Sequence, residues 1–270
     1  MKRIILSIGV IAFVGALTVG VTGAFFNDTE TSTGNTFTAG TIDLQIDNTS
    51  YYNGVFSTTT SWTLRDLTIE KFFNFSDLKP GDRGEDTISI HAGTNPSWLC
   101  ADVKLTSNNE NTLVDPEATD GDVTSDPNGG ELANQVNFIW WADDGDNVLE
   151  TNEAVLPGGP LGAIPVGGTA TVALTDSDQN IFGTTTEPFP GNVTKYIGKA
   201  WCFGNIVPAP LVQDGLGTTS PRTPANSTGG IACDGSQVNN TAQTDSLTAD
   251  ITFRDVQARN NPSYQCVQPQ

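Results

Sequence analysis

From Thr41 onward the chain is built of short segments in which apolar and polar residues alternate, most of them ended by Gly, Pro, Asn or Asp. A period of two sets one face of a segment against a core and the other toward water, which is the period of a strand. No stretch keeps the 3.6 period of a helix for long. The segments are FTAGTIDLQI (37–46), two stretches within SWTLRDLTIEKFFNF (61–75), TISIHA (87–92), WLCADVKLTS (98–107), QVNFIWWADDG (135–145), TATVAL (169–174), VTKYIGKAWCFGNI (193–206) and SLTADITFRDVQA (246–258). In 98–107, Leu99, Ala101, Val103 and Leu105 share one face, and Cys100, Asp102, Lys104 and Thr106 the other. Pro80-Gly81 marks a tight turn. The pattern predicts an all-β protein, a jelly-roll-like β-sandwich forming a single domain over 41–270. Polar, turn-rich insertions are expected at about 107–134 and 208–244, with a short helix near Glu131–Asn134.

The start of the chain reads differently. Lys2 and Arg3 precede the apolar run Ile4–Val21, and Thr22-Gly23-Ala24 places small residues where a signal peptidase needs them. Residues 1–24 are therefore expected to be a signal peptide, with Thr22, Ala24 and Phe25 at the cleavage site; the alternative is an uncleaved anchor. No second run of spanning length follows. The mature chain is expected to be secreted, with no membrane segment after cleavage. Residues 25–40 form a polar, Thr-rich arm before the first strand-like segment. Export makes the four cysteines, Cys100, Cys202, Cys233 and Cys266, candidates for two disulfides, and three pairings are open.

A formal charge of -19 argues against a nucleic-acid partner, because phosphates are bound by Lys and Arg, and it favours solubility, cation binding, or a salty or crowded extracellular setting. The sharpest concentration of acid is WWADDGDNVLETNE, 140–153. Asp143, Asp144, Asp146 and Asn147 cluster around Gly145, with Glu150 and Glu153 following, and calcium takes several oxygen ligands from such a compact turn. The spacing departs from an EF-hand loop, since Val148 and Val155 stand where ligands would be. The competing reading is a solvated hairpin tip. A second group, Asp115, Glu117, Asp120, Asp122 and Asp126, reads as solvated loop. Of Trp140 and Trp141, alternation sends one to the core and one to the surface.

Two motifs resemble a known family. Ala24-Phe25-Phe26-Asn27-Asp28, followed by Phe37, Ala39-Gly40-Thr41 and Asp43-Leu44, is similar to the junction and first strand of SipW-dependent exported proteins of the TasA and camelysin group. Ser76-Asp77-Leu78-Lys79-Pro80-Gly81-Asp82 is similar to a turn of the same group. The resemblance covers roughly residues 1–90. It implies a TasA-like sandwich and, for some members, fibres at the cell surface or in a biofilm matrix, in which the N-terminal segment of one subunit completes the sheet of the next. The chain then reads as a secreted structural protein that self-associates, with the signal peptidase as its partner during export. Two alternatives stand beside this reading: a calcium-dependent surface-adhesion module, and a camelysin-like metallopeptidase. For the last, the sequence offers one histidine, His91, and no H-E-x-x-H, so no catalytic residue is assigned.

Overall fold

The computed structural model describes residues 27–32, 43–123, 126–183 and 185–267. The expected signal peptide, its cleavage residues Thr22, Ala24 and Phe25, and the arm apart from residues 27–32 lie outside these. The elements are β1 (Asn27–Ser32), β2 (Leu44–Tyr52), β3 (Val55–Phe56), β4 (Trp62–Arg65), β5 (Arg83–Ala92), β6 (Ser97–Asn109), α1 (Asp115–Thr119), α2 (Leu132–Gln135), β7 (Val136–Asp143), β8 (Val155–Pro160), β9 (Thr169–Thr175), β10 (Thr194–Phe203), β11 (Asn205–Pro208), β12 (Ile231–Asp234) and β13 (Ser246–Gln257). They form an antiparallel all-β sandwich. One sheet runs β1-β13-β6-β9. The other has seven strands, β3-β2-β5-β10-β7-β8 with β4 also on β2, and β11 and β12 form a separate hairpin.

The core between the sheets follows the alternation. Leu44, Ile46, Ile88, Ile90, Trp140 and Ile197 from the larger sheet meet Leu99, Ala101, Leu174, Ile251 and Phe253 from the smaller. One buried charge pair lies on this inner face. Lys199 ion-pairs Asp86, both fully buried. Asn48 Nδ2 donates to Asp86 Oδ1 at 3.1 Å, and the Lys199 ammonium lies 5.8 and 5.7 Å from the Phe73 and Phe138 ring centres. Paired and hydrogen-bonded, these charges are tolerable inside a protein; either one left alone would be costly.

The larger sheet is covered on its other face too. Ile139, Trp141, Leu149, Ala200 and Ile231 form a second apolar cluster there. Both tryptophans are therefore buried, against the expectation that one would face water. Trp141 lies over Gly198, its register partner on β10, where a Cβ would meet its ring at 1.9 Å. Trp201 covers Gly84 of β5 in the same way. Ring and glycine fill each other's space across the ladder.

Other departures have local causes. The strand expected over 37–46 is observed as Leu44–Tyr52, with 37–42 outside the described residues. Its inward positions beyond Ile46 are Asn48 and Ser50, buried and hydrogen-bonded to the Thr60 carbonyl and hydroxyl respectively, so apolar alternation does not reveal them. Only Trp62–Arg65 of the expected pair of strands in 61–75 forms. The insertion at 208–244 contains β12, and in the 107–134 insertion Glu117 and Asp122 are buried while Asp115, Asp120 and Asp126 are exposed. The Pro-Gly turn forms as read: Asp82 N donates to the Lys79 carbonyl at 2.8 Å, with Gly81 at φ 91. A cavity of about 660 Å³ opens beside this turn, lined by Phe75, Leu78, Phe138, Trp201, Phe203 and Leu247 among others.

The disulfides are Cys100–Cys266 and Cys202–Cys233, which span 166 and 31 residues. The first ties the tail to β6; the second pins the β11–β12 hairpin to β10. Loop-closure entropy grows with the logarithm of loop length, so removing Cys100–Cys266 should cost about 1.5 kcal/mol more than removing Cys202–Cys233. Urea denaturation of the two paired Cys→Ser variants checks this. A larger loss for Cys202–Cys233 would show that packing of the hairpin outweighs chain entropy.

Candidate metal centre

The acidic turn leaves β7 at Asp143 and returns to the sheet at β8. It winds tightly because Gly145, Asn147 and Asn152 take positive φ values of 107, 66 and 79, a region that Gly and Asn enter at least cost. A hairpin tip with this sequence would put its carboxylates in water. Here the turn folds back over the outer face of the larger sheet, and the loop 213–222 closes on top of it. Gly217, with φ 49, lies so near that a Cβ would meet the Asp144 carbonyl at 2.9 Å. Asp143, Asp146, Asn147 and Glu150 are buried, Glu150 to 1 % exposure.

Asp143 accepts from Thr87 Oγ1 at 3.0 Å and Trp141 Nε1 at 3.2 Å. Burial pushes its carboxyl up to about 7 against those two hydrogen bonds, with Asp146 and Asp144 adding to the rise. Asp146 accepts from Val148 N at 2.9 Å, and burial beside Asp144 lifts it to about 6. Glu153 caps the turn from within, accepting from Asp144 N at 2.9 Å and Glu150 N at 2.7 Å; burial, with Asp143 and Asp144 close by, pushes it to about 9. Glu150 is raised by burial, although Arg222 Nη1 reaches its Oε1 at 2.5 Å.

These carboxylates form two overlapping triads, Asp143–Asp144–Glu153 and Asp144–Asp146–Glu150, each with oxygens within 4.8 Å of one another. Asp144 belongs to both. Asp144 Oδ1 and Asp146 Oδ2 are buried with no hydrogen-bond partner. Five carboxylates thus converge with Arg222 as a cationic partner, an arrangement of oxygen donors, like charges held together and buried oxygens without partners that has the chemistry a hard cation takes. Asn147 is held differently. Its side-chain amide donates to the Thr49 carbonyl at 3.1 Å and its backbone N–H to Asp143 Oδ2 at 3.4 Å, while its Oδ1 has no partner.

Sequence reasoning missed the lid. Gln213 Nε2 donates to Asp144 Oδ2 at 3.2 Å, Asp214 N to Glu150 Oε2 at 3.4 Å, and Arg222 reaches Glu150. These residues stand about seventy positions from the turn, in a segment with no periodicity to place it; its one available signal was an arginine in a strongly acidic chain. The sole histidine lies elsewhere: Thr194 Oγ1 is 3.0 Å from His91 Nδ1, and His91 Nε2 is 3.3 Å from Asp47.

A family model described as Camelysin metallo-endopeptidase matches residues 1–156, more than half of the chain. The chain belongs to the camelysin metallo-endopeptidase family. No curated protein matches it. The matched region of this camelysin-family chain ends just after the acidic turn, so the lid, β9 to β13 and three of the four cysteines lie beyond it.

Buried acids with raised values bind protons more tightly in the folded state than in the unfolded one. Their stabilising contribution is whole below the unfolded value near 4 and is lost as pH rises to the folded values. For Asp146, Asp143 and Glu153 that window runs up to about 6, 7 and 9. Chelator-treated protein should therefore melt at lower temperature as pH is raised across this range, and millimolar calcium should flatten the decline. Asp143→Asn with Glu153→Gln should also flatten it without calcium. A decline equally steep in that variant would place its origin in other groups.

Proposed function

We propose that this chain is a secreted structural component of the cell surface or extracellular matrix that self-associates by exchanging its N-terminal strand, with calcium held at the acidic turn. The observation that carries this reading is β1. Asn27–Ser32 pairs antiparallel with Val256–Ile251, six residues in register, at the outer edge of the smaller sheet. Only residues 33–42 join this strand to the rest of the domain. Its ladder partner is the edge of β13, and a second copy presents the same edge. Exchange between copies would recreate the same main-chain hydrogen bonds and cover an edge that otherwise invites pairing. Calcium across the 143–153 turn would lock the outer face of the larger sheet, and by mass action stabilise the fold by about 2.7 kcal/mol at a hundredfold excess over Kd. An adhesion role for a calcium-loaded domain stands as the alternative, favoured by the same carboxylate cluster.

The family's description favours a second reading, a metal-dependent peptidase. Zinc of that chemistry is held by imidazole, with carboxylate or thiolate. The single histidine is engaged by Thr194 and Asp47, and all four cysteines are in disulfides. The remaining donors are carboxylates, which suit a hard cation. The residues present do not fit a catalytic zinc, and no peptidase step is derived.

Deleting residues 25–32 should leave a folded monomer that does not polymerise. A synthetic peptide of 25–40 should bind it and cap growing fibres of the mature protein. Size-exclusion chromatography and negative-stain microscopy, with and without calcium, read both effects. Identical elution of mature and truncated chains, with no high-mass species in either, would end this reading.

A further inference from the structure

A second group of acids gathers at the far end of the β6–β13 ladder. Asn109 and Ser246 are register partners there, so Glu110 and Asp245 leave the two strands side by side. The loop between β6 and α2 folds back over them. Its Gly130 lies so close that a Cβ would meet the Asn109 carbonyl at 2.7 Å and Asp245 Oδ2 at 3.0 Å. Glu131 N donates to Asp245 Oδ2 at 2.6 Å. Glu117 of α1 and Asp122, just after it, complete the group. The oxygens of Glu110, Glu117 and Asp122 lie within 4.8 Å of one another, as do those of Glu110, Glu131 and Asp245.

Proximity of acids alone would mean little, since loops rich in Asp and Glu bring carboxylates together in water. Glu117 is different. Its side chain is fully buried, at 0 % exposure. One oxygen, Oε2, accepts from Val114 N at 2.6 Å; the other, Oε1, is buried with no hydrogen-bond partner and belongs to a side chain held against Glu110 and Asp122. No lysine or arginine among the described residues ion-pairs Glu110 or Glu117. Glu110 and Asp245 bring carboxylate oxygens within 4.8 Å of each other, and both oxygens of Glu110 are buried without a hydrogen-bond partner. A buried carboxylate oxygen without a partner is costly unless a charge of opposite sign meets it.

We propose that Glu110, Glu117 and Asp122, with Glu131 and Asp245 beside them, form a second cation site that takes calcium and fastens the 110–131 loop to the end of the β6–β13 ladder. All its donors are carboxylate oxygens, the preference of a hard divalent ion. They come from two strand ends, a short helix and two loop positions, a set better matched to the variable coordination of calcium than to the strict octahedron of magnesium. The site is independent of the acidic turn at 143–153 and shares no residue with it.

Calorimetric titration of chelator-stripped mature protein with calcium chloride tests this. Wild type should bind two ions per chain, Glu117→Gln one, and Asp144→Asn with Asp146→Asn the other one. Calcium should also slow proteolysis within 110–131 in wild type and in the Asp144/Asp146 variant, but not in Glu117→Gln. Glu110→Gln, at a partly exposed position, gives the same reading should near-ultraviolet circular dichroism show Glu117→Gln unfolded. Calcium stoichiometry and loop protection unchanged by both glutamine variants would overturn the second site, whatever the Asp144/Asp146 variant shows. Absence of calcium binding by wild type would overturn it as well.

Discussion

The ladder between β6 and β13 is the constraint from which the architecture follows. Ser246–Gln257 pairs along Ser97–Asn109 with one register shift, and this long pair supplies Leu99, Ala101, Ile251 and Phe253 to the core. Its sides then need covering. β9 takes the free side of β6, and β1 takes the free side of β13. β9 lies between β8 and β10 in the chain, whereas β1 is the first described strand, with ten residues between it and the next described residue. The proposed self-association by strand exchange would ask for no contact that the single chain does not already make, only for a different copy to supply it.

The second organising element is charge. A chain with 31 acidic and 12 basic residues cannot match each carboxylate to a cation of its own. It meets this limit in three ways. Lys199 is spent on Asp86 inside the core, and Arg254 on Asp102 across the central β6–β13 ladder of the smaller sheet. Exposed acids such as Asp115, Asp120 and Asp126 stay in water. Two further groups are drawn together and covered, at 143–153 beneath the 213–222 lid and at the end of the β6–β13 ladder beneath the 110–131 loop. Burial without a partner charge raises the proton affinity of such groups, as it does for Glu153, Asp143 and Glu110. The same free energy is available to a divalent cation.

Much of the fold was legible because it is local. The alternation in 98–107, 169–174 and 246–258 became β6, β9 and β13, and Lys79-Pro80-Gly81-Asp82 became the turn its residues demand. The even cysteine count anticipated bridges, while their pairing needed coordinates, since Cys100 and Cys266 stand 166 residues apart in the chain. What stayed hidden was set by distant contacts. Nothing near Asn48 or Ser50 announces that these polar residues point inward, and nothing near Trp141 announces the glycine that it covers on β10. The acidic turn was visible as a concentration of carboxylates, but its burial was not, because Gln213, Asp214 and Arg222 close over it from another part of the chain. Glu117 looked like an ordinary loop acid for the same reason.

Strand exchange is tested most directly by asking which copy supplies β1. Thr31 and Thr252 are register partners across the β1–β13 ladder. Mature chain carrying Thr31→Cys is mixed with mature chain carrying Thr252→Cys, incubated under assembly conditions with calcium, and oxidised mildly. Exchange predicts a disulfide-linked dimer containing one of each chain, read by non-reducing electrophoresis and mass spectrometry. If only unlinked chains appear, while a chain carrying both substitutions closes its bridge internally, β1 stays within its own subunit and the account is contradicted.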